Sequence, residues 1–394
     1  MASFQDILSK KSIFKDVSIL SPHYVPSHLP FREVQIKEIM ETVSPALKSQ
    51  KPKNLFIYGK TGTGKTCSVK HVMDQFNAED GSSVMTYINC RIYNSRYRIF
   101  QKIMKQFVPE LDKSGFGLPY LYEKLIEEIK KGKQFVIVLD EIDMVKDLDE
   151  LVYTLTRVND ESKAGGVSII GISNKLSFKN ELDPRSRSSL YESEIIFPSY
   201  TSTQLQHILD QRIGIGFEKD TVEPSAVNLA AAITAQECGD ARYALKLILS
   251  AGEIAQHSGK MRVTDEEVEL ARKRVELDLA AEAIALLPDN LKIALYAIAS
   301  LTQNGSKYSR LDGVEEGFLF SGEVYEEYAR VSLVLHKKPR SVRWYREYLN
   351  DLEMLGLITS TMSGRGIRGQ TTLIKLGYPA ADISGLLKRT LNIE

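Results

Sequence analysis

The sequence predicts an α/β fold in which a parallel sheet is followed by a helical region and then by a C-terminal winged helix-turn-helix. Continuous apolar runs alternate with helix-length segments up to residue 198, which is typical of a parallel sheet covered by helices on both faces. Strand signals then stop and return only after residue 356, on either side of a glycine-rich tip. We therefore expect three domains, at residues 1–198, 199–278 and 279–394.

The composition is that of an ordinary folded protein. The chain has 394 residues, of which 43% are hydrophobic and 26% charged, and its 51 basic residues balance 51 acidic ones. This excludes a largely disordered chain, and it means that nucleic-acid binding must depend on a local patch. Three separated cysteines exclude a disulfide framework and a thiolate zinc site. Because no apolar stretch could span a bilayer and the N-terminus is not a secretory signal, we expect a cytoplasmic protein without a membrane partner.

Four runs are predicted to form the strands of the sheet. They lie at residues 54–58, 84–90, 134–139 and 167–173, and the last two are continuous and rich in β-branched residues. Such runs indicate strands that are buried on both faces. The helix before the third strand is expected to pack through a single apolar stripe, formed by Leu121, Leu125, Ile126 and Ile129.

The rest of the chain is predicted to be mainly helical. Residues 200–278 indicate helices only, including 203–212 and 240–256, with a capping box formed by Thr264 and Glu267. Further on, helical segments near 282–302, 321–336 and 340–356 precede strand-like runs at 357–362 and 371–376. Three helices followed by a hairpin with a glycine-rich tip at 363–370 predict a winged helix-turn-helix.

A phosphate-binding loop follows the first strand. Its sequence matches the pattern GxxxxGK[ST], and a helical segment begins at its end, which is the context that this loop requires. The glycines let backbone N–H groups turn towards phosphates, Lys65 would reach the β- and γ-phosphates, and Thr66 would ligate Mg²⁺. We therefore expect ATP or ADP and Mg²⁺ to bind the loop, which is formed by Gly59, Lys60, Thr61, Gly62, Thr63, Gly64, Lys65 and Thr66.

Polar side chains follow the third and fourth strands. Asp140 and Glu141 come directly after the third strand, and Asn174 follows the fourth, so all three are expected at the carboxyl edge of the sheet, where ligands bind. Asp140 would hold Mg²⁺ through its water shell, Glu141 would orient or deprotonate the attacking water, and Asn174 would lie near the γ-phosphate. Asp143 is expected to be structural or to be a partner for nearby basic side chains. Cys67 begins the helix after the loop, where a thiol pKa can fall, although a small packing residue is the simpler interpretation.

These motifs, in their order along the chain, resemble those of an AAA+ ATPase: the phosphate loop, Asp140-Glu141, Asn174, Asp-Pro-Arg at 183–185 and Gly-Asp-Ala-Arg at 239–242. With Leu-Pro-Phe-Arg-Glu at 29–33 and the terminal winged helix, the chain resembles archaeal origin-recognition and cell-division-control initiators from about residue 12 to 377. The resemblance implies an AAA+ sheet domain with a helical lid and a winged-helix DNA-binding domain. It also implies an ATPase that hydrolyses ATP slowly and uses it as a switch.

The resemblance also assigns nucleotide contacts outside the loop. Arg242 would contact the γ-phosphate in cis from the lid. Arg185 would be the arginine finger offered to a neighbouring protomer, with Arg187 as a second candidate. The family's other contacts correspond to Cys67 after the loop, Tyr200, Arg212 and the segment 24–32, which would close over the adenine through Val25 and Pro26.

Basic residues cluster near the C-terminus. Between residues 337 and 370, seven basic side chains stand against three acidic ones, and such a patch favours contacts with DNA phosphates. The predicted recognition helix, whose apolar face would comprise Val342, Leu349, Leu352 and Leu355, carries Trp344 and Tyr345 among its bases. The expected DNA contacts on this helix and the wing are Arg340, Arg343, Arg346, Arg365 and Arg368. A winged helix used for protein contacts is the alternative.

A second DNA-contact candidate lies between the second and third strands. The segment 91–119 mixes arginine with tyrosine and corresponds by position to the family's initiator-specific insertion, which bears on deformed DNA. An ordinary half-buried helix would explain the same residues.

The leading hypothesis is an ATP-switched initiator, associated with the nucleoid, that binds double-stranded origin DNA. Its partners would be the replicative helicase and other initiator protomers or paralogues. The alternatives are a signalling ATPase whose winged helix contacts protein, an initiator paralogue that represses origins, and a DNA-binding regulator with a vestigial phosphate loop. Intact Lys65, Thr66, Asp140 and Glu141 argue against the last of these.

Overall fold

The computed structural model describes residues 12–21, 24–79, 83–105, 107–108, 115–175, 178, 182–305, 318–362 and 372–393. The chain divides into two compact units, the first ending at Glu269 and the second beginning at Leu270. None of the described helices is long and apolar enough to cross a membrane.

A five-stranded parallel sheet with covering helices forms most of the first unit. Its strand order is β2-β3-β4-β1-β5, and every neighbouring pair is parallel. The α/β sheet predicted from the alternating runs is therefore confirmed. The elements are α1 (Glu33–Leu47), β1 (Leu55–Tyr58), α2 (Lys65–Ala78), β2 (Val84–Asn89), α3 (Arg96–Met104), α4 (Leu118–Lys130), β3 (Gln134–Asp140), α5 (Leu148–Glu161), β4 (Gly166–Ser173), α6 (Pro184–Leu190) and β5 (Ser193–Ile196).

Strand β3 shows why the central runs are continuously apolar. All seven of its residues are buried, because successive side chains point to opposite faces of the sheet and helices cover both faces. Phe135, Ile137 and Leu139 pack with residues of α3, α4 and α5. Val136 and Val138 pack on the other side with residues of α1 and α2. The predicted apolar stripe of α4 is confirmed, since its four members are the buried residues of that helix.

The helical region of the first unit consists of α7 (Ser202–Gly216), α8 (Pro224–Glu237), α9 (Ala241–His257) and the start of α10 (Asp265–Leu286). The N-terminal residues 12–21 pack on these helices. The Phe14 and Phe217 rings lie 4.7 Å apart, and the Glu218 N–H donates to the Ile13 carbonyl over 2.9 Å. The N-terminal segment is thus bonded to the helical region.

At the start of α10, Glu267 accepts from the Thr264 N–H over 2.9 Å, which is one half of the predicted capping box.

The second unit is a winged helix-turn-helix. Helices α11 (Asp289–Asn304), α12 (Ser321–Val334) and α13 (Val342–Met354) pack with an antiparallel sheet, and α14 (Ala380–Leu391) follows it. The sheet has the order β6-β8-β7 and consists of β6 (Leu319–Phe320), β7 (Ile358–Met362) and β8 (Thr372–Leu376). The three predicted helices and the hairpin are therefore present. The tip at 363–370, with Arg365 and Arg368, lies outside the described residues.

Two details of the predicted helices are wrong. The expected helix near 282–302 is interrupted, because α10 ends at Leu286 and Pro288 precedes α11 as its N-cap residue. The apolar face expected for the recognition helix also differs. Val342 and Leu355 are about half exposed, at 47% and 49%, whereas the aromatic ring of Tyr345 is buried. The buried residues of α13 are Tyr345, Tyr348, Leu349 and Leu352. Their spacing of three or four residues places them on one face of the helix, so two tyrosines form part of its buried face.

Candidate functional site

A cleft of about 390 Å³ opens at the carboxyl edge of the sheet, between the phosphate loop and the helical region. It brings together residues that are far apart in the sequence. Gly59, Lys60 and Thr61 lie at the start of the loop and are not part of the described lining. The predicted residues that do line it are Val25, Gly62, Thr63, Gly64, Lys65, Thr66, Cys67, Asp140, Glu141, Asn174, Tyr200, Arg212 and Arg242.

The phosphate loop needs its glycines for conformation and for space. Gly62 and Gly64 have φ values of 65° and 89°, in the left-handed region that side chains with a Cβ rarely adopt. A Cβ on Gly62 would lie 1.5 Å from Asp240 Oδ1, so the carboxylate of Asp240 packs directly against the loop. The Ala241 N–H also donates to the Gly62 carbonyl over 3.2 Å. Helix α9 therefore begins against the phosphate loop.

The Lys65 ammonium is buried beside the loop carbonyls. Its Nζ donates to the carbonyls of Gly59 and Lys60, each over 2.7 Å. Burial lowers the pKa of Lys65 to about 8, although the nearby Asp140 carboxylate partly opposes this change. A phosphate group placed in the loop would stabilise the charged ammonium.

Asp140 is held by hydroxyl groups at the end of β3. Thr66 Oγ1 and Tyr87 Oη both donate to Asp140 Oδ2, over 2.8 and 2.7 Å. Thr66 and Asp140 thus present two oxygen atoms side by side, which is the kind of ligand that Mg²⁺ prefers. These residues fit a Mg²⁺ ion, which Thr66 and Asp140 would hold and which would neutralise phosphate charge there.

Glu141 points into the same cleft but has a partner outside the loop. Its backbone is left-handed, with φ 54°, and its Oε2 lies 3.2 Å from the Nε of Arg91. Asp143 is bound by Ser173, whose hydroxyl donates to Oδ1 over 2.9 Å, and by Lys175 Nζ at 3.4 Å. The expectation that Asp143 is structural therefore agrees with its contacts.

The N-terminal segment and α7 close the other side of the cleft. The Arg212 guanidinium lies 4.5 Å from the centre of the Tyr24 ring, and it donates to the Ile19 carbonyl over 3.3 Å. Its Nε is buried without a hydrogen-bond partner among the described residues. Val25 lies beside Tyr24 in the lining. These contacts join the predicted adenine segment to the helical region.

Two further predicted residues lie in the cleft with different exposure. Arg242 is about half exposed, and its Nε lies 3.8 Å from Asp240 Oδ1. Cys67 is partly covered, and burial raises the pKa of its thiol. The lowered thiol pKa considered for a helix N-terminus is therefore wrong, because desolvation dominates here.

Arg185 and Arg187 lie elsewhere. Both are exposed on α6, and Arg185 lines a separate cavity of about 290 Å³ that it shares with Tyr153 and Asp149. Neither arginine is among the described residues that line the main cleft.

The winged helix carries the second predicted site. Helix α13 begins only at Val342, because Ser341 before it is extended. Lys337, Lys338 and Arg340 therefore lie in the preceding turn rather than on the helix. Arg340 is fixed through its backbone, since its N–H donates to Tyr328 Oη over 3.3 Å and its carbonyl accepts from Tyr325 Oη over 3.0 Å. The side chains of Arg340, Arg343 and Arg346 are exposed, as is that of Trp344.

The arginines of the segment 91–98 are partly engaged within the first unit. Arg96 pairs with Glu150 over 2.9 Å, and Arg98 donates to the Ile92 carbonyl over 3.5 Å. With Arg91 bound to Glu141, this segment is tied to the cleft and to α5. Residues 109–114 of the longer predicted insertion lie outside the described residues.

No individual role was predicted from the sequence for three residues of the cleft region. Arg32, Tyr87 and Asp240 all contact the phosphate loop or Asp140. For Asp240, the signal was an acid in the N-cap position of a helix, where its side chain accepts from the Arg242 N–H. Tyr87 reaches Asp140 through a long-range contact that leaves no local pattern. Arg32 belongs to the motif at 29–33, but the motif does not reveal its bond to the loop.

Family models match three stretches of this chain. An AAA domain matches residues 48–177, a Cdc6 AAA+ ATPase-type lid domain matches 206–273, and a CDC6 C-terminal winged helix domain matches 282–385. Together with the parallel sheet and the phosphate loop, these matches define a protein of the AAA+ ATPase class with a terminal winged helix.

Whole-chain relatives define the family. The chain is 39% identical to the ORC1-type DNA replication protein of Pyrococcus abyssi, over 99% of this chain and 94% of that protein. It is 37% identical to the ORC1-type DNA replication protein 1 of Archaeoglobus fulgidus, over 95% of this chain and 91% of that protein. The chain belongs to the family of ORC1-type DNA replication proteins, so the resemblance to archaeal initiators is confirmed.

A solved structure agrees with this assignment. The Aeropyrum pernix ORC1 protein, solved in complex with DNA, matches with a TM-score of 0.78 and 34% identity. The match covers 96% of this chain and 98% of that one.

Proposed function

We propose that this chain is an ATP-dependent replication initiator that binds double-stranded origin DNA and helps to load the replicative helicase. One observation carries the proposal. The Thr66 hydroxyl donates to Asp140 Oδ2 over 2.8 Å, and the buried Lys65 lies beside them. This arrangement lies in a chain that also has an exposed basic winged helix, and its Aeropyrum pernix relative is described in complex with DNA.

The nucleotide would bind through the loop. Backbone N–H groups between Gly59 and Thr66 and the Lys65 ammonium would hold the β- and γ-phosphates. Mg²⁺, held by Thr66 and Asp140, would neutralise phosphate charge when bound. The Glu141 carboxylate would take a proton from the attacking water, and the Asn174 amide would help to place that water.

The remaining lining residues would recognise the rest of the nucleotide. Val25 and Tyr200 would contact the adenosine part together with Arg212, whose buried Nε has no other described partner. Cys67 would pack at the start of α2. Arg242 would reach the γ-phosphate from α9, because it is about half exposed and lines the same cleft.

Hydrolysis would be slow in the isolated chain. Arg185 and Arg187 are exposed on α6 and do not line the described part of the cleft in their own chain. An arginine finger from this helix would therefore act on the nucleotide of another initiator protomer or paralogue, where it would stabilise the charge of the transition state. ATP would accordingly act as a switch.

The winged helix would bind the DNA duplex. Arg343 and Arg346 are exposed at the start of α13, and Arg340 is exposed just before it, where a recognition helix enters the major groove. Arg365 and Arg368 of the wing would add phosphate or minor-groove contacts.

The same proposal includes three domains, at residues 1–198, 199–278 and 279–394. It also includes an association with the nucleoid in the cytoplasm.

The test is binding of a labelled origin-derived duplex across a range of salt concentrations, with ATP or with ADP. Wild type is compared with Arg343→Ala and with the matched control Arg389→Ala, which removes an exposed arginine from α14. We expect Arg343→Ala to weaken binding and to reduce the slope of log K against log salt by about 0.9. The control is expected to keep the wild-type slope.

Other outcomes would favour a different function. Weak binding that is equal in all three proteins would make the winged helix a protein-contact module and would favour a signalling ATPase. Tight, selective binding combined with inhibition of helicase loading would indicate a paralogue that represses origins.

A further inference from the structure

Arg32 is buried between three parts of the first unit. Only 1% of its surface is exposed. Its Nε donates to the Thr63 carbonyl of the phosphate loop over 2.8 Å. One terminal nitrogen donates to the carbonyl of Phe31 over 2.9 Å, and the other donates to the carbonyl of Pro198 over 2.7 Å. The guanidinium therefore ties the segment before α1 to the loop and to the chain that leads into α7.

The buried charge of Arg32 is in contact with aromatic rings, whereas the carboxylate of Glu33 acts on it only from a longer distance. Its guanidinium carbon lies 3.8 Å from the centre of the Tyr200 ring and 5.6 Å from that of Phe197. Among the described residues, no carboxylate lies within ion-pair distance of it. Burial accordingly lowers the pKa of Arg32 from its usual value, although an arginine stays charged at any ordinary pH. Such a charge is costly to bury, and a nearby anion would offset that cost.

The contacts of Arg32 bear directly on the shape of the loop. The guanidinium bonds the Thr63 carbonyl, and Arg32 itself is not among the described residues that line the cleft. Tyr200 packs against the next residue, since a Cβ on Gly64 would lie 2.8 Å from the Tyr200 hydroxyl. The Tyr200 N–H in turn donates to the Gly239 carbonyl, just before α9. Arg32 and Tyr200 together connect the loop to the start of the helix that carries Arg242.

We propose that Arg32 is a positioning residue of the nucleotide site, which fixes the phosphate loop so that its N–H groups face the cleft. Its buried positive charge adds to the attraction of the loop for phosphates, because charges inside a protein are weakly screened. This inference rests on the proposed nucleotide binding at the same site. Arg32 would strengthen binding of the polyphosphate part of the ligand through the loop, without contacting the ligand itself.

The test compares the affinities of ADP and adenosine for Arg32 variants. The dissociation constant of fluorescently labelled ADP is measured for wild type, Arg32→Met and Arg32→Lys, and unlabelled adenosine is measured by competition. Arg32→Met is expected to weaken ADP binding at least about tenfold, or ~1.4 kcal/mol, with a much smaller effect on adenosine. Arg32→Lys keeps the charge but not the three-way hydrogen bonding, so its affinity for ADP should be intermediate.

The matched control is Arg262→Met, which makes the same change at an exposed arginine and should leave both affinities unchanged. If Arg32→Met does not fold, Arg32→Lys alone tests the inference. Wild-type ADP affinity in folded Arg32 variants would overturn it, as would equal losses for ADP and adenosine, which would indicate a general structural role. A wild-type protein that binds neither ligand would instead refute the proposed nucleotide function.

Discussion

Arg91 Nε lies 3.2 Å from Glu141 Oε2, so the carboxylate that follows β3 is paired with an arginine that follows β2. The side chain of Arg91 is 70% exposed and that of Glu141 25%. The opposite charges of the guanidinium and the carboxylate attract each other. The pair also turns the carboxylate towards Arg91, which holds it in one position within the cleft.

Glu141→Gln is expected to slow ATP hydrolysis about a hundredfold or more, because the amide cannot accept the proton of the attacking water. ATP binding should stay within about twofold, since Lys65 and Thr66 are unchanged. Phosphate release under single-turnover conditions measures the rate, and labelled ATP measures the affinity. Hydrolysis at the wild-type rate would remove Glu141 from the proposed chemistry.

Arg91→Ala is expected to speed hydrolysis by about twofold to tenfold, because it releases the Glu141 carboxylate from Arg91 and lets it turn towards the attacking water. The measurement is again the single-turnover rate without DNA. Arg98→Ala is the matched control, since Arg98 is exposed in the same segment and donates to the Ile92 carbonyl. A slower rate in Arg91→Ala alone would mean that the pair orients Glu141 productively.

Nucleotide affinity is expected to fall as the pH rises above 8. The pKa of Lys65 is lowered to about 8, so its ammonium loses its proton above this pH in the free protein. Bound phosphates would raise that pKa, and binding would then take up a proton above pH 8. The dissociation constant of ADP should therefore rise by up to about tenfold per pH unit. Titrations with labelled ADP between pH 7 and 9.5 measure this dependence.

Lys65→Arg provides the control for the pH experiment. An arginine does not titrate in this range, so the variant should bind ADP more weakly at pH 7 but without a change near pH 8. The same pH dependence in this variant would assign it to another group.

Gly62→Ala is expected to weaken ADP binding more than about tenfold. The new methyl group would overlap the Asp240 carboxylate, at 1.5 Å from Oδ1, on a residue with φ 65°. Gly214→Ala is the control, because nothing lies within 4 Å of its added Cβ. This second change should stabilise α7 by up to about 1 kcal/mol. Normal ADP binding by Gly62→Ala would show that α9 can move away from the loop at little cost.

Trp344 is expected to report DNA binding by its fluorescence. It is the single tryptophan of the chain, 55% exposed, and shares a concave surface of about 590 Å³ with Lys338 and Arg340. A bound duplex would cover the indole and change its emission. The change should saturate at the same duplex concentration as the anisotropy of a labelled duplex and should be reversed by salt. Binding seen by anisotropy without any change in emission would place the duplex elsewhere.

The sheet could be predicted from the sequence mainly where both faces are covered. The seven residues of β3 are all buried, and the apolar run from Phe135 to Leu139 within them indicates a strand. Strand β5 was missed because it has four residues of which only Ile195 is buried, so neither alternation nor a continuous run stands out. The two-residue β6 is defined only by its pairing with β8.

The site was predicted where chemistry is local in sequence. The phosphate loop and Asp140-Glu141 are each a contiguous motif in a recognisable context. The bond from Arg32 to Pro198 joins residues 166 positions apart, and that from Tyr87 to Asp140 spans 53. Such pairs depend on how strands and loops meet in three dimensions, which residue spacing does not reveal.

The packing of residues 12–21 on the helical region has a consequence for the order in which the protein takes shape on the ribosome. Arg212 bonds to Ile19 across a separation of 193 residues, so residues 12–21 can pack only after α7 has been synthesised. Until then, Ile13 and Leu20, which are fully buried in the finished protein, remain in contact with solvent or with chaperones. The cleft is therefore complete only after most of the first unit has been translated, and a nascent chain cannot close over a nucleotide before that point.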